Sequence, residues 1–348
     1  MLPSSALDRQ GNRSAIISLL RGVFACPVIA VLAEMGIADR MLEGRFTVKE
    51  FPQVHNPSAL AAVFGYLHSL DLITPADHDA YFELTARGRS VLKRSGAFSL
   101  LHSYRQYFDG LAGLLAGDDR VASVDRRQNV SGSGSLHSRK FFPAVWEMLK
   151  SNPPASLIDI GCGDGTFLQQ ACDEWPNLYI AGVDLSPIAI EAMLKSLQVI
   201  GRSETAGIVE DGAKIAEWAP RIPVDVTTKS PLVLSMWFVA HEFSKGDPQT
   251  IVEFFHDLRS TLPQAEVVLG EITSISPELL AKDHEASIMP EFLLFHKLSR
   301  QGVLSWDEWK EIMEKIPYRV NSERLFDVVN DSCENRVPSS FIWYLKPS

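Results

Sequence analysis

Hydrophobic positions follow a helical period at the start of the chain and gather into short strand-like runs in its second half. From Arg13 to Met41 the apolar residues Ile16, Ile17, Leu19, Leu20, Val23, Phe24, Val31, Leu32 and Met35 recur at helical spacing. Proline removes a backbone donor, so Cys26-Pro27 predicts a break between two packed helices. Phe46 to Phe51 follows, then a break at Asn56-Pro57, an apolar run from Ala59 to Leu70, and two short runs between Ile73 and Leu84 with polar turn residues at their centre. Thr85 is placed to cap a helix over Ala86 to Leu92. Beyond Leu100 come aromatic helical segments around Tyr104, Tyr107 and Phe108, then a Ser131-Gly132-Ser133-Gly134-Ser135 cluster that reads as a loop. An amphipathic helix from Phe141 to Leu149 is closed by Pro153-Pro154. Apolar runs at Ser156 to Ile160, Leu178 to Val183, Leu232 to Met236 and Val267 to Gly270 then alternate with helical patterns such as Ile188 to Val199 and Ile251 to Leu262. Such alternation predicts an α/β fold with a mostly parallel sheet covered on both faces. Pro317 to Leu325 and Ser340 to Leu345 are spaced to add an antiparallel pair.

Helix, turn, helix and β-hairpin over residues 46–92 describe a winged helix. Its charge does not suit a DNA reader. The segment Asn56 to Leu70 holds no Lys or Arg, and residues 46–90 set Lys49, Arg87 and Arg89 against Glu50, Asp71, Asp77, Asp79 and Glu83. Packing and dimerisation is the simpler role. The whole chain agrees: 348 residues carry a formal net charge of −10, whereas phosphate-binding surfaces need clustered cations. A hydrophobic content of 46% with 22% charged residues is ordinary for a globular chain, and the length suits about two domains. Met1 to Ser5 lacks the basic start of a secretory leader, and Gly22 to Ala33 falls short of the ~20 residues of a spanning helix. Cys26, Cys162, Cys172 and Cys333 form no CxxC pair, which leaves a reducing cytoplasm as the expected compartment.

The most specific signal is Leu157-Ile158-Asp159-Ile160-Gly161-Cys162-Gly163-Asp164-Gly165-Thr166, a strand entering a loop with glycine at alternate positions. Missing side chains there let the backbone approach a ligand. Asp184 stands at the end of the next strand, where a carboxylate can accept both hydroxyls of a ribose. Dinucleotide binding is the competing reading, but the spacing is GxGxG rather than GxGxxG. The pattern resembles motif I of class I S-adenosylmethionine-dependent methyltransferases, whose domain is Rossmann-like. That resemblance implies S-adenosylmethionine as cofactor, with Asp159, Gly161, Gly163 and Gly165 around its methionine part, Asp184 at its ribose and Asp211, after strand three, near its adenine. Here Glu210-Asp211-Gly212-Ala213 departs from the commoner Gly-Asp-Ala order. With the winged helix in front, the chain is similar to small-molecule methyltransferases whose helical domain dimerises, and Met35 to Met41 resembles a recurrent segment of it. The expected domains are residues 1–105 (winged-helix dimerisation), 106–150 (helical linker beside the substrate) and 151–348 (methyltransferase).

Strand four ends in Met236-Trp237-Phe238-Val239-Ala240-His241-Glu242-Phe243. Plant-type O-methyltransferases carry a His and an acid at this place, the His deprotonating the acceptor hydroxyl, which imidazole suits at neutral pH. A second histidine, His296 in Pro290-Glu291-Phe292-Leu293-Leu294-Phe295-His296, changes the balance. Together with Leu269-Gly270-Glu271 and Leu304 to Trp309, it resembles the C-methyltransferases of 2-oxo acids, of the 2-ketoarginine and phenylpyruvate type. That resemblance implies His241 and His296 as ligands of a metal, and iron or zinc would both accept imidazole. Glu271 or Glu242 is a candidate third ligand, supporting group or proton acceptor, with a solvated charge as the plainer alternative. A 2-oxo acid chelates through carboxylate and keto oxygens, and a Lewis acid there favours the enolate whose β-carbon takes the methyl group.

Two other functions stay open at this point: O-methylation with His241 as general base, and a non-catalytic winged-helix regulator. Within C-methylation, Glu242, Glu271, Asp283, Glu285 and Glu291 favour a cationic side chain. The first specific expectation is therefore 2-ketoarginine, 5-guanidino-2-oxopentanoate, in amino-acid or antibiotic biosynthesis, with aromatic 2-oxo acids next. The expected partners are this small molecule and a second copy of the chain, without nucleic acid or membrane.

Overall fold

The computed structural model describes residues 4–76, 81–118, 123–281, 288–327, 329–330 and 336–348, with backbone alone at 4–13, 131, 329–330 and 336. Asp77, Asp79, Asp283, His284, Glu285 and Cys333 lie outside the described residues. The chain divides into two compact units, Met1–Arg105 with Ser131–Leu136, and Gln106–Val130 with His137–Ser348. Residues 106–150, read in the sequence as a linker of their own, are shared between the two.

In the first unit, helices Ser4–Glu34, Ile37–Glu43 and Pro57–Ser69 precede a hairpin of β1 (Ile73–Ala76) and β2 (Tyr81–Leu84) and the helix Ala86–Leu92. β1 and β2 pair antiparallel with Ile73 opposite Leu84, and Phe46 bridges Phe82, completing the winged helix. Asn56 Oδ1 accepts from Ala59 N at 3.1 Å and Thr85 Oγ1 from Gly88 N at 2.9 Å, so both helix starts are capped. The core is Ile29, Leu32, Phe46, Phe64 and Ile73 with their neighbours.

Three expectations fail in this unit. The first helix runs unbroken through Pro27 and ends before Gly36, which takes φ 70. One missing donor in a long helix is tolerated, whereas a left-handed glycine ends the helical path. Ser14–Glu34 is consequently a continuous apolar helix of 21 residues, long enough by itself to cross a membrane, and not the short segment expected. Ile16, Leu19, Leu20, Val23 and Phe24 along it are exposed. The serine and glycine cluster is not a loop either: it lies within the helix Arg126–Lys140. Small residues are needed there for close packing, because a Cβ on Gly132 would sit 2.5 Å from Leu100 N and one on Gly96 2.7 Å from Ser135 Cβ.

The second unit is built on β3 (Ser156–Ile160), β4 (Tyr179–Asp184), β5 (Ala206–Val209), β6 (Leu232–Trp237), β7 (Glu266–Ile272) and β8 (Tyr318–Phe326). A short ribbon of β9 (Val329–Asn330) and β10 (Arg336–Val337) leads to β11 (Ser340–Pro347). The seven-stranded sheet has the order β5-β4-β3-β6-β7-β11-β8. β3 to β7 pair in parallel, and β11 is antiparallel to both β7 and β8. Ile158, Ile160, Leu234 and Met236 pack on one face with Phe254 and Phe255, while Leu157, Val233 and Trp237 pack on the other with Phe142 and Phe167. Burial on both faces explains why these strands read as continuous apolar runs. The chain leaves β3 toward β4 and returns to β6, so strand order reverses between β3 and β6. In such sheets ligands bind outside the carboxyl ends at that point.

Candidate active site

The glycine loop stands at the carboxyl end of β3. Gly161, Gly163 and Gly165 take φ 69, 55 and 79, the left-handed region that a side chain disfavours. A Cβ on Gly161 would sit 3.0 Å from Val239, and one on Gly165 would sit 2.6 Å from Met193. Gly161 N donates to Val183 O (2.8 Å), and Gly163 N donates to Asp184 Oδ2 (3.0 Å). The other oxygen of Asp184 accepts from Ser186 N at 2.8 Å. Asp184 therefore braces the loop from the neighbouring strand. Asp211 lies just beyond β5 and closes its own turn by accepting from Ala213 N at 3.0 Å. Beside it Glu210 accepts from Asp211 N and faces Arg221 at 3.5 Å. Asp159 sits behind the loop, 1% exposed, with Ser235 Oγ donating to it at 2.6 Å.

His241 lies in the helix Ala240–Ser244, which follows β6 after Phe238, a residue held at φ 54. Its ring is buried, and Nδ1 meets both oxygens of Glu271 at 3.1 and 3.0 Å. Glu271, next to last in β7, is fully buried and also accepts from Ala240 N (2.9 Å), His241 N (3.4 Å) and Ile272 N (3.0 Å). Burial disfavours the charged His241 ring. The charge and hydrogen bond of Glu271, with the charge of Glu242, outweigh that and hold its pKa above the ordinary value.

His296 comes from the helix Met289–Leu298, and its ring meets that of His241 edge to face, centroids 5.0 Å apart. Its Nδ1 is 2.7 Å from Phe292 O, which makes Nδ1 the donor and puts the lone pair of the neutral ring on Nε2. Burial, then the His241 charge, push its pKa down to about 3, so it is neutral at physiological pH.

Three contacts escaped the sequence reading. Arg126 lies 3.7 Å from Glu242, Gln301 Nε2 donates to Glu242 Oε1 at 2.9 Å, and Ser244 Oγ donates to Gly302 O at 3.1 Å. Arg126 opens the helix Arg126–Lys140, and Val130 on that helix lies 3.4 Å from where a Gly163 Cβ would be. The arginine thus joins the glycine loop and the histidines, and only tertiary structure brings it there.

No family model matches the chain. The 2-ketoarginine methyltransferase of Streptomyces arginensis is 24% identical over 252 residues, 72% of either chain. Among solved structures, the mitomycin 7-O-methyltransferase MmcR superposes with a TM-score of 0.59 at 15% identity, over 99% of this chain and 100% of that one. PigF with SAH superposes with a TM-score of 0.60 at 12% identity, over 97% of this chain and 99% of that one. The chain has the fold of the class I S-adenosylmethionine-dependent methyltransferases.

The glycine loop after β3 and Asp184 at the end of β4 stand at the carboxyl edge where sheets of this topology take their ligands. The histidine pair fits a metal ion such as iron or zinc by its donor chemistry. Ligating imidazoles usually give their second N–H to a carboxylate or carbonyl, as His241 does to Glu271 and His296 to Phe292. Among the described residues no group of three or more His, Cys, Asp or Glu side chains is gathered as a ligand set. Glu271 has both oxygens engaged by donors behind His241, which makes it a holding group for that ring. Of the acids read as favouring a cationic substrate, Glu242 is engaged by Arg126 and Gln301, Glu271 is sealed, and Glu291 is exposed; Asp283 and Glu285 lie outside the described residues.

Proposed function

We propose that this methyltransferase transfers the methyl group of S-adenosylmethionine to the β-carbon of a 2-oxo acid. The observation that carries the reading is the His241–His296 pair, each ring anchored through Nδ1 and the two rings meeting edge to face. A metal held there would act as a Lewis acid toward the carboxylate and keto oxygens of the substrate, acidifying its β-carbon protons. The chain's own part is placement. Glu271 fixes the His241 tautomer, and Arg126 offers a guanidinium to the substrate carboxylate beside Glu242. The glycine loop and Asp184 hold the cofactor so that its sulfonium methyl lies in line with the attacking carbon. The substrate proposed first is 2-ketoarginine, supported by the Streptomyces relative.

A second reading, O-methylation of a hydroxyl with His241 as general base, is favoured by the His241–Glu271 dyad, whose raised pKa suits proton uptake near neutrality. Purified protein incubated with labelled S-adenosylmethionine, a panel of 2-oxo acids and a panel of phenols separates the two. β-Methyl products that disappear on chelation support the first, and methyl ethers from metal-free protein overturn it.

We further infer a cytoplasmic homodimer joined through the apolar face of Ser14–Glu34, supported by the exposure of Leu19, Val23 and Phe24. Light scattering on Leu19→Glu with Phe24→Glu tests it. Monomers are expected, and an unchanged mass overturns the inference.

A further inference from the structure

The two histidines sit on separate elements, and the turns that end those elements interlock. Met289–Leu298 closes in a Schellman arrangement: Arg300 takes φ 58 and donates its N–H to Lys297 O (3.2 Å), and Gln301 N donates to the carbonyl of His296 itself (2.9 Å). Ala240–Ser244 closes with Lys245 at φ 46 and Gly246 at φ 89, and Lys245 N approaches the carbonyl of His241 at 3.3 Å. Each turn thus hangs from the backbone of one histidine.

The turns then meet at three points. Gln301 Nε2 donates to Glu242 Oε1 at 2.9 Å, next in sequence to His241. Ser244 Oγ lies 3.1 Å from both His241 O and Gly302 O. At the centre the backbones touch so closely that a Cβ on Gly302 would fall 1.6 Å from Gly246 N.

We propose that this pair of turns is a clasp that sets the separation of the His241 and His296 rings, with Gln301, Ser244 and Gly302 as positioning residues for metal coordination. The inference rests on reading the two histidines as metal ligands. Two ligands on short independent helices hold an ion only if their spacing is fixed, and groups behind ligands of this kind typically change metal affinity about 10- to 100-fold.

The test is a titration of the full-length protein with Co2+, followed by visible absorption and by competition with a chelator. The proteins compared are wild type, Gln301→Leu, Ser244→Ala, Gly302→Ala and His296→Ala. Gln301→Leu and Ser244→Ala are expected to bind Co2+ about ten-fold or more weakly with an altered ligand-field band, while S-adenosylmethionine affinity stays within about two-fold. Gly302→Ala is expected to be worse; if circular dichroism shows it unfolded, the other two variants decide. Unchanged Co2+ affinity and band in both, with His296→Ala impaired, overturns the clasp and leaves the ligand reading standing. Wild type that binds no better than His296→Ala overturns the ligand reading and the clasp with it.

Discussion

His241 and His296 meet edge to face with ring centroids 5.0 Å apart, and each has its Nδ1 engaged from behind, by Glu271 and by the Phe292 carbonyl. The two rings are unequal in charge preference. Burial and the neighbouring imidazole keep His296 neutral down to about pH 3, whereas Glu271 favours the proton on His241. A cation placed between them would compete with that proton.

His296→Ala is therefore expected to abolish metal retention and lower β-carbon methylation by roughly 100-fold or more, with cofactor affinity unchanged. Metal analysis, product NMR and a calorimetric S-adenosylmethionine titration measure the three quantities. Full turnover by metal-free His296→Ala would remove the basis for C-methylation and leave His241 as a general base.

Glu271→Gln turns one buried acceptor into an amide donor that faces the N–H groups of Ala240 or Ile272. A buried donor left opposite another donor costs about 1–3 kcal/mol. The variant should melt at lower temperature and lose roughly 10- to 100-fold in metal affinity or turnover. Wild-type turnover in Glu271→Gln would show that His241 keeps its orientation without the carboxylate.

Arg126 faces the carboxylate of Glu242 at 3.7 Å, and the proposed function gives its guanidinium the substrate carboxylate. Arg126→Leu should raise the KM for 2-oxo acids about ten-fold or more while leaving cofactor affinity near wild type. Arg126→Lys should rescue only in part, because an ammonium lacks the planar fork. An unchanged KM in Arg126→Leu would move carboxylate recognition to another residue.

How legible these features were in the sequence follows from how local their causes are. β3, β4, β6 and β7 stood out because strands buried on both faces are unbroken apolar runs. β5, reading Ala206-Gly207-Ile208-Val209, is short and carries small residues, so it left little pattern. His241 and Glu271 were visible as polar residues at the ends of apolar strands. Arg126, Gln301 and Gly302 act through partners far away in the chain, and no periodicity records such contacts. The serine and glycine cluster misled for a related reason: Gly132 answers to Leu100 and Gly96 across a helix contact, not to a turn.

Asp159 offers a pH test of the cofactor end of the site. It lies on β3 beside Ser235 of β6, and burial raises its pKa to about 8 despite the Ser235 hydrogen bond, with the Asp184 charge adding to the rise. The unfolded carboxyl titrates near 3.8. Below that pH both states hold the proton, and the group contributes nothing to the pH dependence. Between about pH 4 and 8 the native carboxyl keeps a proton that the unfolded chain has released, so stability falls as pH rises. Above about 8 both states are ionised and the loss is complete. A tenfold difference in proton affinity is worth about 1.4 kcal/mol. Asp159→Asn is uncharged throughout, so its stability relative to wild type should climb from pH 5 to pH 8 and then level off. Denaturant unfolding of both proteins across that range measures the difference. A constant gap would mean that Asp159 ionises like a surface carboxylate, and that the loop after β3 rests on a charged residue.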